Sequence, residues 1–182
     1  MDTELWEKAL YHLDKGNFTA LEELLGGPNG FDNRIIDWHA GGRFSNEPVG
    51  LAEAFTSSCM LGRTATAEYL LDNGIDPVGG MKTGLNGFHY AASSGRLDAV
   101  RLLIDRDVSM EIENMYGGTV LGQAIWSAVN EPKPAHAEII EILIDAGAVV
   151  EDGTLEWWID QDIPNTATRQ RVLDALQRHG AE

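Results

Sequence analysis

A repeat with a period of 33 residues is the feature that most constrains the fold of this chain. Three sets of small or apolar residues recur at this spacing: Phe55, Phe88 and Leu121; Ser58, Ala91 and Ala124; and Gly62, Gly95 and Ala128. A fixed period of this length indicates stacked copies of one supersecondary unit, each of which is too small to bury its own apolar face.

Each unit contains two helical patterns that are separated by a glycine. The first pattern is short and rich in small residues, as in residues 87–94, and Gly95 ends it because glycine adopts left-handed backbone at little cost. In the second pattern apolar residues recur at helical spacing, at Leu97, Val100 and Leu103. Neighbouring pairs are therefore predicted to stack into one continuous all-α core that buries Phe55, Ser58, Leu70, Phe88, Ala91, Leu103, Leu121, Ala124 and Leu143.

Residues 86–104 carry a resemblance to a known family. Their sequence, which begins Asn-Gly-Phe-His-Tyr-Ala-Ala, resembles the ankyrin repeat, whose motif is Thr-Pro-Leu-His-x-Ala at a period of about 33. Residues 70–77 and 143–148 resemble the end of the same repeat, and Gly180 follows Gly147 by one further period. The motif is imperfect in every unit, since its first position holds Glu53, Asn86 and Thr119 in successive units.

The resemblance implies an all-α solenoid of about five stacked helix-turn-helix units with degenerate terminal caps. A single domain would span residues 1–182, with units at approximately 1–28, 47–75, 80–108, 113–148 and 149–182.

An insert of approximately residues 29–46 separates the first two units and is longer than the hairpin of the family. Its apolar residues, among them Ile35 and Trp38, favour packing against the stack over projection as a disordered loop. A further alternative is an enzyme subunit whose site lies in this insert and uses Asp37 and His39, although the sequence offers no third residue to orient them.

The chain is strongly acidic. It has 182 residues with 13 Lys+Arg against 29 Asp+Glu, a formal net charge of −16. Phosphate backbones and anionic membranes both require clusters of basic residues, so neither is a predicted partner. A basic protein surface would be attracted, whereas the alternative is that the charge serves solubility alone.

Composition and termini also limit the compartment. The single cysteine, Cys59, allows no internal disulfide, and the acidic residues 1–7 do not resemble a secretory signal. No apolar run reaches the about 18 residues of a membrane span. These features predict a cytoplasmic chain that is a monomer when free.

No motif for catalysis, a cofactor or a metal is evident in the sequence. The chain lacks a phosphate-binding G-x-x-x-x-G-K-[ST] loop and an H-E-x-x-H pair, and its five histidines are scattered. Cys59 is interpreted as a buried small residue, and the resemblance implies that His89 ties neighbouring units together through backbone groups. We therefore predict a noncatalytic chain without a cofactor or metal.

The resemblance also implies where a partner would bind. In ankyrin-like stacks the turn before the first helix and the exposed side of that helix line a concave groove. Transferred by repeat position, these sites include Glu47, Val49, Met60, Leu61 and Thr83. The residues predicted to contact a protein partner are Lys82, Leu85, Met115, Tyr116, Trp126, Trp157, Asp160 and Asp162.

Alternatives remain for the aromatic and acidic residues of this set. Trp126 would instead pack under residues 130–136, and the Trp157–Trp158 pair would cap the end of the core. The acidic residues between Glu151 and Asp162 would form either a solvated face or a docking surface for a basic protein.

The sequence thus predicts a module for protein–protein interaction through the concave face. A narrower hypothesis is an inhibitor or immunity protein that blocks a basic toxin or nuclease. The alternative function is a structural scaffold or a homodimer.

Overall fold

The computed structural model describes residues 3–80, 82, 84–164 and 166–179. Thr83, predicted to line the groove, and Gly180, predicted to close the last unit, lie outside these residues. The described part of the chain contains α-helices and a 3₁₀ helix, Arg43–Asn46, but no strand. The α-helices are α1 (Thr3–Lys15), α2 (Phe18–Leu24), α3 (Pro28–Ala40), α4 (Pro48–Leu61), α5 (Thr64–Asp72), α6 (Gly87–Ser93), α7 (Leu97–Asp105), α8 (Val120–Asn130), α9 (His136–Asp145), α10 (Thr154–Asp160) and α11 (Ala167–His179).

The helices pack as successive pairs, as the repeat predicted. The first helices of neighbouring pairs are in contact, α4 with α6 and α6 with α8. The second helices form a parallel row in which α5 contacts α7, α7 contacts α9 and α9 contacts α11. The predicted all-α architecture is confirmed. All nine residues predicted to be buried are buried, and all of them except the polar Ser58 belong to the continuous apolar core.

Short side chains cap the first helices of two units. Asn86 Oδ1 accepts hydrogen bonds from the backbone N–H groups of Phe88 and His89 at the start of α6. Thr119 Oγ1 accepts one from Gly122 at the start of α8. Each cap satisfies backbone donors that have no partner within the helix, which stabilises the helix start.

Helix α4 departs from this pattern because it begins six residues earlier in the repeat. Its first residue is Pro48, whereas Glu53 occupies the repeat position that Asn86 occupies in the next unit. Proline suits a first helical turn, where its missing N–H is not required. Glu53 therefore lies inside a helix and has no helix start to cap.

Two buried histidines connect neighbouring units. His89 Nε2 lies 3.1 Å from the carbonyl oxygen of Gly118 in the next unit, and burial lowers the pKa of its ring. His136 Nδ1 accepts the N–H of Lys133, so its Nε2 carries the proton and donates to the Ser93 carbonyl oxygen over 3.0 Å. The linking role that the resemblance implied for His89 is consistent with its contact across units.

The insert forms helix α3, which packs against α5 and α2. Asp32 Oδ1 accepts a hydrogen bond from the Thr66 hydroxyl over 2.6 Å, and His39 Nδ1 lies 3.1 Å from the hydroxyl oxygen of Tyr69. Asp37 is exposed. The insert thus belongs to the core, and the partner of His39 is a tyrosine of α5 rather than Asp37. The apolar residues that α3 buries are Phe31, Ile35 and Trp38.

Candidate functional site

Large exposed apolar side chains identify the candidate binding surface. Tyr116 is 78% exposed, Trp126 is 48% exposed and Trp157 is 39% exposed, and all three lie on one surface around α8 and α10. Amphipathic aromatics that remain exposed in a folded chain are typical anchors of protein interfaces.

These aromatics line two adjoining depressions, of about 610 and 430 Å³, which share Gly122, Trp126 and Glu151. We refer to them together as the aromatic cleft. The remaining lining residues are Asn114, Tyr116, Gly118, Gln123, Ile125, Asp152, Gly153, Thr154 and Trp157.

The turn that carries Tyr116 is held by the side chain of Asn114, which is itself buried. Asn114 Oδ1 accepts the backbone N–H groups of Tyr116 (2.8 Å) and Gly118 (3.1 Å). Its Nδ2 donates to Gln123 Oε1 on α8 over 3.0 Å. Because the turn is tied to the helix, Tyr116 is presented on an ordered backbone, which reduces the entropy that binding would cost.

The cleft combines aromatic rings with negative charge. Glu151 and Asp152 are exposed at its edge, and the described residues that line it include no Lys or Arg. Aromatic faces and carboxylates both favour cationic groups. The chemistry of the cleft therefore suits a basic surface.

The other predicted contact residues are distributed around the molecule. Met115 is 66% exposed beside the cleft, and its N–H donates to the Gly84 carbonyl oxygen, next to the half-buried Leu85. Asp160 and Asp162 are exposed but do not line the cleft.

The two adjacent tryptophans of α10 have different environments. Trp158 is 1% exposed and lines a depression with Pro132 and Lys133, whereas Trp157 faces the aromatic cleft. Of this pair, Trp158 is thus the tryptophan that caps the core. The segment after α8, which was the alternative cover for Trp126, lies near Trp158. Trp126 remains open to the cleft.

Lys82 lies at a separate depression, of about 460 Å³, formed by α1, the start of α4 and the loop before α6. We refer to it as the acidic pocket. The ammonium group of Lys82 pairs with the carboxylate of Asp14. The lining residues are Glu7, Leu10, Tyr11, Asp14, Glu47, Val49, Gly50, Glu53 and Lys82.

Sequence reasoning missed Glu7 and Glu53 as site residues. One signal was available for Glu53, because a carboxylate replaces the small polar cap residue at the first position of the motif. No comparable signal marks Glu7, since an acidic residue on an exposed helix face is common.

Cys59 is the single cysteine of the chain. Cys59 is buried, and burial raises the pKa of its thiol, which disfavours the reactive thiolate. Within the described residues no group of three or more His, Cys, Asp or Glu side chains is placed to hold a metal ion. Among the helices of the described chain, none is long and apolar enough to span a bilayer.

Comparisons with known proteins agree with the geometry. A family model described as ankyrin repeats (3 copies) matches residues 57–153. A crystal structure of EF0377, an ankyrin repeat protein, superposes with a TM-score of 0.55 at 13% sequence identity, and covers 94% of this chain and 96% of that chain. This likeness concerns the fold alone. A search of curated proteins found no match.

Proposed function

Because the chain belongs to the ankyrin repeat family, we propose that it binds a protein partner through the face that carries the aromatic cleft. Ankyrin repeats generally mediate interactions between proteins. The observation that carries the proposal is the exposure of Tyr116, Trp126 and Trp157 around one cleft.

The partner we propose is basic. Glu151 and Asp152 border the cleft, and the whole chain has a formal net charge of −16. A narrower form of the proposal is that this chain is a cytoplasmic inhibitor or immunity protein which blocks a basic toxin or nuclease. The support for that form is the combination of acidity with an exposed anchor surface.

The test compares capture by matched variants from a lysate of the native host. The immobilised proteins are wild type, Tyr116→Ala, Trp126→Ala and, as the control, Ile159→Ala. Ile159 is a 49% exposed apolar residue of α10 that does not line the cleft. We expect a basic protein to bind wild type and Ile159→Ala. Its affinity, measured with the purified partner, should fall by about 1–3 kcal/mol in Tyr116→Ala and Trp126→Ala.

Two results would contradict the proposal. Equal affinity for all four immobilised chains would show that the cleft is not the binding surface. Recovery of a second copy of the chain, with a dimer in sedimentation equilibrium, would favour the homodimer alternative. The inhibitor form requires, in addition, that a captured toxin or nuclease loses activity when the chain is added.

A further inference from the structure

Glu53 is a buried carboxylate whose hydrogen-bonding capacity is only partly used. Its side chain is 0% exposed, and its Oε1 accepts the backbone N–H of Lys82 over 3.0 Å. Its Oε2 is also buried and has no hydrogen-bond partner among the described residues. Burying a carboxylate oxygen without a partner costs free energy, so this group calls for an explanation other than stability.

The repeat gives no structural reason for a carboxylate at this position. Asn86 and Thr119, at the same position in the next two units, use their side chains to cap helix starts. Glu53 lies in the interior of α4, whose own turns already satisfy the backbone N–H groups around it. Glu53 instead belongs to the wall of the acidic pocket.

The walls of the pocket carry an excess of negative charge. Glu7 and Asp14 are two helical turns apart on α1, and Glu47 precedes α4. Lys82 is the single Lys or Arg among the described residues that line the pocket, and it is engaged by Asp14. With Glu53, four carboxylates thus face one ammonium group, and the pocket suits a further cation.

An aromatic ring stands at the same pocket. Tyr11 is 58% exposed and lies on α1, one turn after Glu7. A guanidinium group can donate two parallel hydrogen bonds to a carboxylate and stack on a tyrosine face, and it loses hydration more readily than an ammonium group does. A partly closed site with a buried carboxylate therefore favours arginine over lysine.

We propose that the acidic pocket receives an arginine side chain of the protein partner, with Glu53 Oε2 as the buried acceptor. This inference rests on the proposed function, since it names the chemistry of one partner residue. The pocket is formed by α1 and α4, whereas the aromatic cleft is formed around α8 and α10, so the two contacts can be tested separately.

The experiment titrates the full chain with N-acetyl-arginine amide and follows amide chemical shifts by NMR. The matched probes are N-acetyl-citrulline amide, which has similar shape without the charge, and N-acetyl-lysine amide. We expect saturable binding of the arginine probe with a Kd on the order of 1 mM, and shifts that are largest for residues lining the acidic pocket. The citrulline probe should not saturate, and the lysine probe should bind about fivefold more weakly.

Three variants localise the site. Glu53→Gln should weaken the arginine probe about tenfold, because it removes a charge-assisted hydrogen bond while keeping the side-chain size. Lys82→Met should strengthen binding about two- to fivefold, because it removes the competing ammonium group and leaves the backbone N–H to Glu53. Trp126→Ala should leave the probe affinity unchanged, since that residue belongs to the aromatic cleft.

Several results would overturn the proposal. These are the absence of saturable arginine binding to wild type, equal affinity for arginine and citrulline, equal affinity for arginine and lysine, and an unchanged affinity in Glu53→Gln. Loss of probe binding in Trp126→Ala would move the cation site to the aromatic cleft and would leave the proposed function standing. If Glu53→Gln fails to fold by circular dichroism, Glu7→Gln and Lys82→Met decide the outcome, with opposite changes expected.

Discussion

At the scale of single residues, Glu53 should reduce the stability of the free protein at neutral pH. Burial raises the pKa of its carboxyl from the ordinary 4.5 to about 7, and the hydrogen bond from the Lys82 N–H opposes this only in part. The folded state therefore retains a proton that the unfolded chain releases in this window. The contribution of Glu53 to the free energy of unfolding falls as pH rises from about 4.5 to about 7.

Glu53→Gln should remove this loss, because the amide stays neutral at every pH. We expect the variant to exceed wild type by about 1–3 kcal/mol in free energy of unfolding at pH 8, and to match it near pH 4.5. Urea denaturation across this range measures the difference. Glu7→Gln, at the exposed rim of the same pocket, should stay within about 0.5 kcal/mol of its parent. A Glu53→Gln variant less stable than wild type at pH 8 would identify Glu53 as a stabilising residue.

At the scale of helices, α3 should be as important for stability as a helix of the repeat itself. Ile35 of α3 and Leu103 of α7 are both 0% exposed. We expect Ile35→Ala and Leu103→Ala each to lower the free energy of unfolding by about 2–5 kcal/mol, as deletions in a well-packed core do. Urea denaturation gives these values. A loss below about 1 kcal/mol for Ile35→Ala, with rapid amide exchange throughout α3, would show that α3 opens independently of the stack.

At the scale of the whole molecule, the charge of −16 should increase the rate of encounter with a basic partner. Exposed charges are screened over about 8 Å at physiological salt, so the association rate should fall markedly between about 50 and 500 mM salt. The dissociation rate should change less, since the aromatic anchors dominate it. Stopped-flow or surface-based kinetics with the purified partner measures both rates.

Charge reversals separate the cleft from the rest of the acidic segment. Glu151→Lys with Asp152→Lys should slow association more than Asp160→Lys with Asp162→Lys, because only the first pair borders the aromatic cleft. The second pair should still slow association measurably, since steering acts over the whole surface. An association rate that does not respond to salt would reject steering and assign the acidity to solubility.

The sequence by itself determined the repeat, the helical class and the core. The 33-residue period and the helical spacing of apolar residues can both be read from the order of residues along the chain. Positions such as Phe88 and Leu103 could therefore be assigned to the interior from the sequence. The sequence also singled out Tyr116 and Trp126, because large aromatics at groove positions of a repeat stand out against small and polar neighbours. Trp157 was a further candidate, with capping of the core as the alternative for the Trp157–Trp158 pair. The insert was expected to pack, yet its helix and its docking on α5 were not predicted.

The tertiary structure alone decided which distant residues share a site. Glu7 and Asp14 come from the first helix and Glu53 from the fourth, and only the packing of α1 on α4 joins them in one pocket. The same holds for the two tryptophans of α10, where the helix orientation buries Trp158 and leaves Trp157 facing the cleft. Local periodicity reports which face of a helix is apolar. Which charges meet across an interface depends on where each helix begins and what packs against it, and those are properties of the folded stack.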